Sequence, residues 1–264
     1  MTSFIIVRDV AIRGAMCVAA TPQWLRLCYK KGPLDYEPCD MNMPATLVPR
    51  KREHYRFDAP LTERGQIVAQ TYGRGLIAAG IRPYEIYCSP DMKSIQTAYY
   101  LIKGMDTSFT SICIEPAIMS FRQLYPRNID QILLSPKMYS GLGYPINLQY
   151  KPFNDIPQSE TIDDYIHRIN RFYTEKIGRS VIVIADNCMV EITRNREIST
   201  IDDILDTKML TSMQVNTIRV TSDDVKLVNP PILSFTRCLY DAKPFLWNSA
   251  PKKLSTPNHP VNEY

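Results

Sequence analysis

No run of about 18 apolar residues occurs anywhere in the 264-residue chain, which excludes a membrane-spanning helix. Lys and Arg number 31 but never gather into a dense basic run. With a net charge of +4 they describe a solvated surface, which weighs against nucleic acid as a partner. The seven cysteines contain no Cys-x-x-Cys pair and no His/Cys spacing suited to zinc. Scattered and odd in number, they predict reduced thiols and a cytoplasmic or nuclear protein. No signal peptide is expected, because a strand-like segment begins within three residues of Met1. There is no internal repeat and no linker-like stretch. Histidine is scarce: the three are His54, His167 and His259. His54 in its polar loop and His167 on a helix read as surface residues.

What remains is an ordinary globular composition, 45% hydrophobic and 22% charged, in one large α/β domain. The boundaries read as a domain over 1–240 and a tail over 241–264. Residues 3–8 and 181–185 are short apolar runs that stop abruptly at Asp9 and Asp186. Buried parallel strands end this way when their carboxyl ends open onto a site. Glu85–Cys88 and Ser111–Ile114 read as further strands, and 215–220 with 225–228 as a terminal hairpin. Helices are predicted from Thr62 to Gly80, from Ser89-Pro90 to a stop at Gly104, from Thr161 to Gly178, from Cys188 and across Ile201–Leu205. Residues 14–56 are irregular apart from a short helix expected after Thr21-Pro22, and 116–158 are loop-rich. Strands alternating with helices imply one domain with a mostly parallel central sheet and helices on both faces. The two long segments then lie over its carboxyl edge.

The order of short motifs carries a resemblance. Arg8-Asp9 closes the first strand, Tyr87-Cys88-Ser89-Pro90 with Gln96-Thr97-Ala98 forms a middle element, and Asp186 closes a late strand. This resembles the histidine phosphatase (phosphoglycerate mutase-like) superfamily. Asn42-Met43-Pro44, Asp58-Ala59-Pro60-Leu61-Thr62 with Gly65, Glu115-Pro116, Ser159-Glu160 and Asn229-Pro230-Pro231-Ile232-Leu233 are similar to motifs of its TULA/Sts subgroup. The resemblance implies phosphoryl transfer through a phosphohistidine. One imidazole attacks phosphorus, a second imidazole and several arginines hold the phosphoryl oxygens, and a carboxylic acid protonates the leaving group. It implies no cofactor and no metal.

The resemblance also implies that the reacting positions are degenerate. Arg8 is kept. Asp9 stands in place of the nucleophilic histidine, and Ile12 in place of a second arginine. Lys93 replaces the central arginine and loses its bidentate geometry. Ser120 stands where the subgroup has its acid, and Asp186 replaces the second histidine. Two like charges about 4 Å apart at an effective dielectric near 20 repel by roughly 4 kcal/mol, so carboxylates in such a pocket oppose a phosphate dianion. Pairing of Arg8 and Lys93 with Asp9 and Asp186 is expected to neutralise the site instead. Glu115 and Glu160 are expected to cap or pair locally.

The expectation is therefore a pseudophosphatase acting as a protein-binding or scaffolding module. A homodimer is implied by the resemblance, together with an unidentified protein partner. The alternatives are a divergent active phosphatase and a phosphate-ester sensor using the remnant pocket. A metal-dependent aspartyl nucleophile at Asp9 lacks the second aspartate two residues on, where Ala11 stands. The chain has 16 tyrosines. The aromatic and aliphatic residues of the two long segments (Trp24, Leu25, Tyr29, Tyr36, Phe121, Leu124, Tyr125, Tyr139 and Tyr144) are the types that anchor protein interfaces.

Overall fold

The computed structural model describes residues 2–8, 23–29, 32, 35–39, 41–175, 181–192, 197–207, 215–220 and 225–228. Six strands form one sheet in the order β3-β2-β4-β1-β5-β6. They are β1 (Thr2–Arg8), β2 (Glu85–Cys88), β3 (Ser111–Ile114), β4 (Val181–Ala185), β5 (Val215–Val220) and β6 (Val225–Val228). The first four run parallel to one another, with Phe4 opposite Val181, Arg8 opposite Ala185, and Cys88 opposite Ile184. β5 and β6 add an antiparallel edge, as the sequence led one to expect.

Two-residue alternation along the strands divides the core. Ile86, Cys88, Ile112, Ile114, Ile182 and Ile184 face one side. They pack against Leu76, Ile95 and Leu101 of α2 (Glu63–Ala78) and α3 (Met92–Met105). Tyr87, Cys113, Val181 and Val183 face the other side, against Tyr165, Ile169 and Phe172 of α6 (Ile162–Glu175). Each fully buried Ile, Leu or Phe in these layers contributes about 1.5–3 kcal/mol. All five residues of β4 are buried, the mark of a central strand covered on both faces. The single domain with helices on both faces is as expected. Among the described residues no helix is long and apolar enough to cross a membrane.

Local signals account for most of the boundaries. The Thr62 hydroxyl accepts from the Gly65 N–H at 3.1 Å and caps α2. At α6, Thr161 and Asp164 satisfy each other's backbone N–H groups at 3.1 and 2.9 Å. Gly104, expected as the stop of α3, is not one. The helix runs on to Met105 and ends on Asp106, whose φ of 52° is left-handed. Gly104 serves packing instead: a Cβ there would stand 1.9 Å from the Gln70 carbonyl oxygen of α2. Gly73 answers from α2, where a Cβ would stand 2.1 Å from the Leu101 oxygen.

The described parts of the two long segments pack against the domain. Helix α1 (Gln23–Cys28) brings Trp24, Leu25, Cys28 and Tyr29 against Met43, Tyr55 and Met92, a third small core. Residues 116–158 contain α4 (Ile129–Ile132), α5 (Pro136–Gly141) and 3-10 turns at Pro116–Ile118 and Arg122–Leu124. Trp24, Leu25, Tyr29, Phe121 and Tyr139 are buried, so these expected interface anchors pack their own loops down. Tyr36, Leu124, Tyr125 and Tyr144 are half-buried. The expectation of reduced thiols fails at Cys28 and Cys39, which form a disulfide with their Cα atoms 5.0 Å apart. Cys88, Cys113 and Cys188 are buried and not disulfide-bonded. The tail 241–264 and the Asn229–Leu233 motif lie outside the described residues.

Candidate active site

The carboxyl ends of β2 and β4 are tied together where the Ser89 N–H donates to the Ile184 carbonyl at 3.2 Å. Ser89 and Asp91 follow β2, and Asp186 follows β4. The buried Asp91 carboxylate accepts from the Ser89 hydroxyl and, at 2.7 Å, from the Tyr125 hydroxyl. The Asp186 carboxylate accepts from the Ser120 hydroxyl and from the Met189 N–H at 3.1 Å. Tyr125 with Asp91, and Ser120 with Asp186, thus form two hydrogen-bonded pairs at neighbouring strand ends. Burial, and then the nearby Asp91 charge, hold the Tyr125 phenol well above its ordinary pKa, so it remains a donor. The same logic holds for Tyr165 and Tyr173, raised first by burial and then by the Asp186 charge.

Of the positions singled out from the sequence, the structure brings Ser120 and Asp186 into contact. Lys93 lies half-buried in the first turn of α3. Arg8 ends β1 level with Ala185, so the β1 and β4 ends lie side by side. Asp9 and Ile12 lie outside the described residues, and with them the expected Arg8–Asp9 pairing. The expected Arg8–Asp186 pairing rests on a side chain outside those described. The Asp186 carboxylate itself accepts from a hydroxyl and a backbone amide.

A second polar cluster supports α3 from below. Arg50 Nη1 lies 2.7 Å from Asp58 Oδ2, both side chains buried, and Arg50 Nη2 donates to the Ile132 carbonyl. Asp58 Oδ1 accepts from the Met92 N–H at 2.6 Å, at the start of the helix that carries Lys93. Burial raises the Asp58 pKa to about 6, with Arg50 lowering it and Asp91 raising it.

The remaining motif residues hold the loops in place. Gln96 Oε1 accepts from the Leu61 N–H at 2.6 Å. Glu115 accepts from Ala117 N–H, Phe153 N–H and the Tyr150 hydroxyl at 2.7, 2.9 and 2.5 Å. Glu160 takes a two-pronged bond from Arg168, Nε–Oε2 3.0 Å and Nη2–Oε1 2.7 Å, and one from the Arg122 N–H at 2.7 Å. Arg168 Nη1 donates to the Pro116, Ala117 and Met119 carbonyls at 3.0, 2.9 and 3.1 Å, fixing the turn just before Ser120. Glu115 and Glu160 therefore pair locally, as expected. Asp91, Arg50 and Arg168 were given no role in the sequence reading, and Tyr125 was read there as an interface anchor. Asp91 sits inside the Ser-Pro motif and Asp58 inside Asp-Ala-Pro, which were legible as motifs without a role.

No family profile matches the chain. It is 30% identical over 175 residues to the ecdysteroid-phosphate phosphatase of Bombyx mori, covering 61% of this chain and 25% of that protein. It is 26% identical over 181 residues to the human ubiquitin-associated and SH3 domain-containing protein B, covering 64% and 28%. The chain thus spans about a quarter of the length of these relatives. In three dimensions it is similar to the crystal structure of the Bombyx ecdysone phosphate phosphatase in complex with tungstate. The TM-score is 0.69 at 24% identity, over 88% of this chain and 93% of that one.

Proposed function

We propose that this chain, which has the histidine phosphatase fold and homologues in the TULA/Sts group, is a pseudophosphatase that works as a protein-binding module. The observation that carries the reading is the hydrogen bond from Ser120 to Asp186. By resemblance these positions should present an acid and an imidazole to a phosphate. Here a hydroxyl donates to a carboxylate, and Tyr125 donates to the buried Asp91. A carboxylate about 4 Å from a phosphate opposes its binding by roughly 4 kcal/mol per charge, close to a thousandfold. Ser120 and Asp186 lack the neutral imidazole with which the family attacks phosphorus and holds the phosphoryl group.

The surface supports the binding half of the reading. Although their aromatics singled out above are buried or half-buried, the two long segments expose Leu27, Met41, Met138, Leu142 and Leu148. Apolar side chains presented on loops over a rigid sheet suit a protein partner. The resemblance carries a homodimer with it, which sedimentation equilibrium would read. The test is direct: purified protein is assayed against aryl phosphates and phosphotyrosine peptides with and without magnesium, and titrated with tungstate. Background turnover and no tungstate binding are expected. A divergent phosphatase is the second reading, favoured by the name of the Bombyx relative. Turnover that disappears in Asp186→Ala would establish it.

A further inference from the structure

The Cys28–Cys39 disulfide joins two unlike environments. Cys28 is fully buried in the small core formed by Trp24, Leu25, Tyr29, Met43, Tyr55 and Met92. Cys39 is exposed. Between them the Glu37 N–H donates to the Cys28 carbonyl at 2.8 Å and the Asp35 N–H to the Gly32 carbonyl at 3.3 Å, while the Tyr36 hydroxyl donates to the Pro44 carbonyl at 2.6 Å and its ring packs on Tyr29. From Cys28 the contacts run without a break to the candidate site. Trp24 packs edge-on to Tyr55 at 5.9 Å, Arg50 lies over Tyr55 at 5.4 Å, and Arg50 pairs with Asp58, which caps Met92.

We propose that Cys28–Cys39 is a reducible clamp on this core, opened by a dithiol reductant. The reductant's thiolate attacks the exposed Cys39 Sγ. A mixed disulfide forms and the Cys28 thiolate leaves, taking up a proton in the core. The second thiol of the reductant then resolves the mixed disulfide, releasing Cys39 as a thiol. Two electrons and two protons pass to the protein, and the reductant leaves as its own disulfide. Loss of the cross-link returns chain entropy to the opened segment. For a sequence separation of 11 this favours opening on the order of a hundredfold. Because the small core seats the start of α3, the switch reaches the candidate site, yet it stands independently of whether that site is active.

The full chain provides the test. Thiols are trapped by alkylation at lysis, and the peptides containing Cys28 and Cys39 are mapped without reduction. Trypsin cleavage after Lys51, Arg52 and Arg56 is then timed in oxidised and dithiothreitol-reduced protein. We expect a Cys28–Cys39 linked peptide, and cleavage faster by tenfold or more after reduction, since opening governs such cleavage. Cys39→Ser, at the exposed end, should be cut at the reduced rate with or without reductant. Alkylation of both cysteines before reduction, or equal cleavage rates in oxidised, reduced and Cys39→Ser protein, would overturn the proposal.

Discussion

Replacing Arg168 by methionine removes a guanidinium that serves five acceptor contacts at once. Two go to the Glu160 carboxylate and three to the carbonyls of the Pro116–Met119 turn. Both partners of the ion pair are buried, at 5% and 3% side-chain exposure, so water cannot take over. Methionine keeps much of the volume, which limits the packing loss and leaves the polar loss as the main cost. Stranding one partner of a buried pair costs about 3–5 kcal/mol. The orphaned carbonyls add to this unless the turn moves, so we expect about 4 kcal/mol in urea denaturation with little change in slope. Glu160→Gln should cost less, because an amide can still accept from Arg168 and from the Arg122 N–H. In the double variant Arg168→Met with Glu160→Met no unpaired charge is left, so its cost should fall below the sum of the singles by more than 1 kcal/mol. A loss under 1 kcal/mol for Arg168→Met, or simple additivity, would refute the view that this pair fixes the turn ahead of Ser120.

Gly104→Ala should destabilise by roughly 1–3 kcal/mol, the range for overpacking, because the new methyl meets the backbone of Gln70; thermal melting reads it, and an unchanged midpoint would show that α2 and α3 separate freely. Asp58 has a folded pKa of about 6 against an ordinary 3.8, so between those values the folded state holds the extra proton. Stability from this group is fully present below about pH 4 and is lost as the pH rises through 6. The stability difference between the wild type and Asp58→Asn should therefore shift against the wild type from pH 4 to pH 7; a flat difference would count against the shift. Asp9→His alone should restore no hydrolysis of aryl phosphates, since Lys93, Ser120 and Asp186 are unchanged. Burst-phase labelling with a phosphohistidine product would show otherwise.

Each strand among the described residues was legible in the sequence because a strand is a local pattern. Apolar runs such as Val181–Ala185 act within a few residues of themselves. The caps at Thr62 and Thr161 were legible for the same reason, and the motif order was enough to indicate the fold. Other features turned on partners distant in the chain. Gly104 reads as a helix stop by local rule, and only the approach of Gln70 from another helix shows why a glycine is needed. Cys28 and Cys39 form no recognisable pair until the small aromatic core brings them within bonding distance. Ser120 and Asp186 read in the sequence as two separate degenerate positions. The turn held by Arg168 delivered Ser120 to Asp186 from 66 residues away. Secondary structure follows from side-chain order and backbone sterics at short range, whereas the state of a buried carboxylate depends on which dipoles the folded chain places beside it.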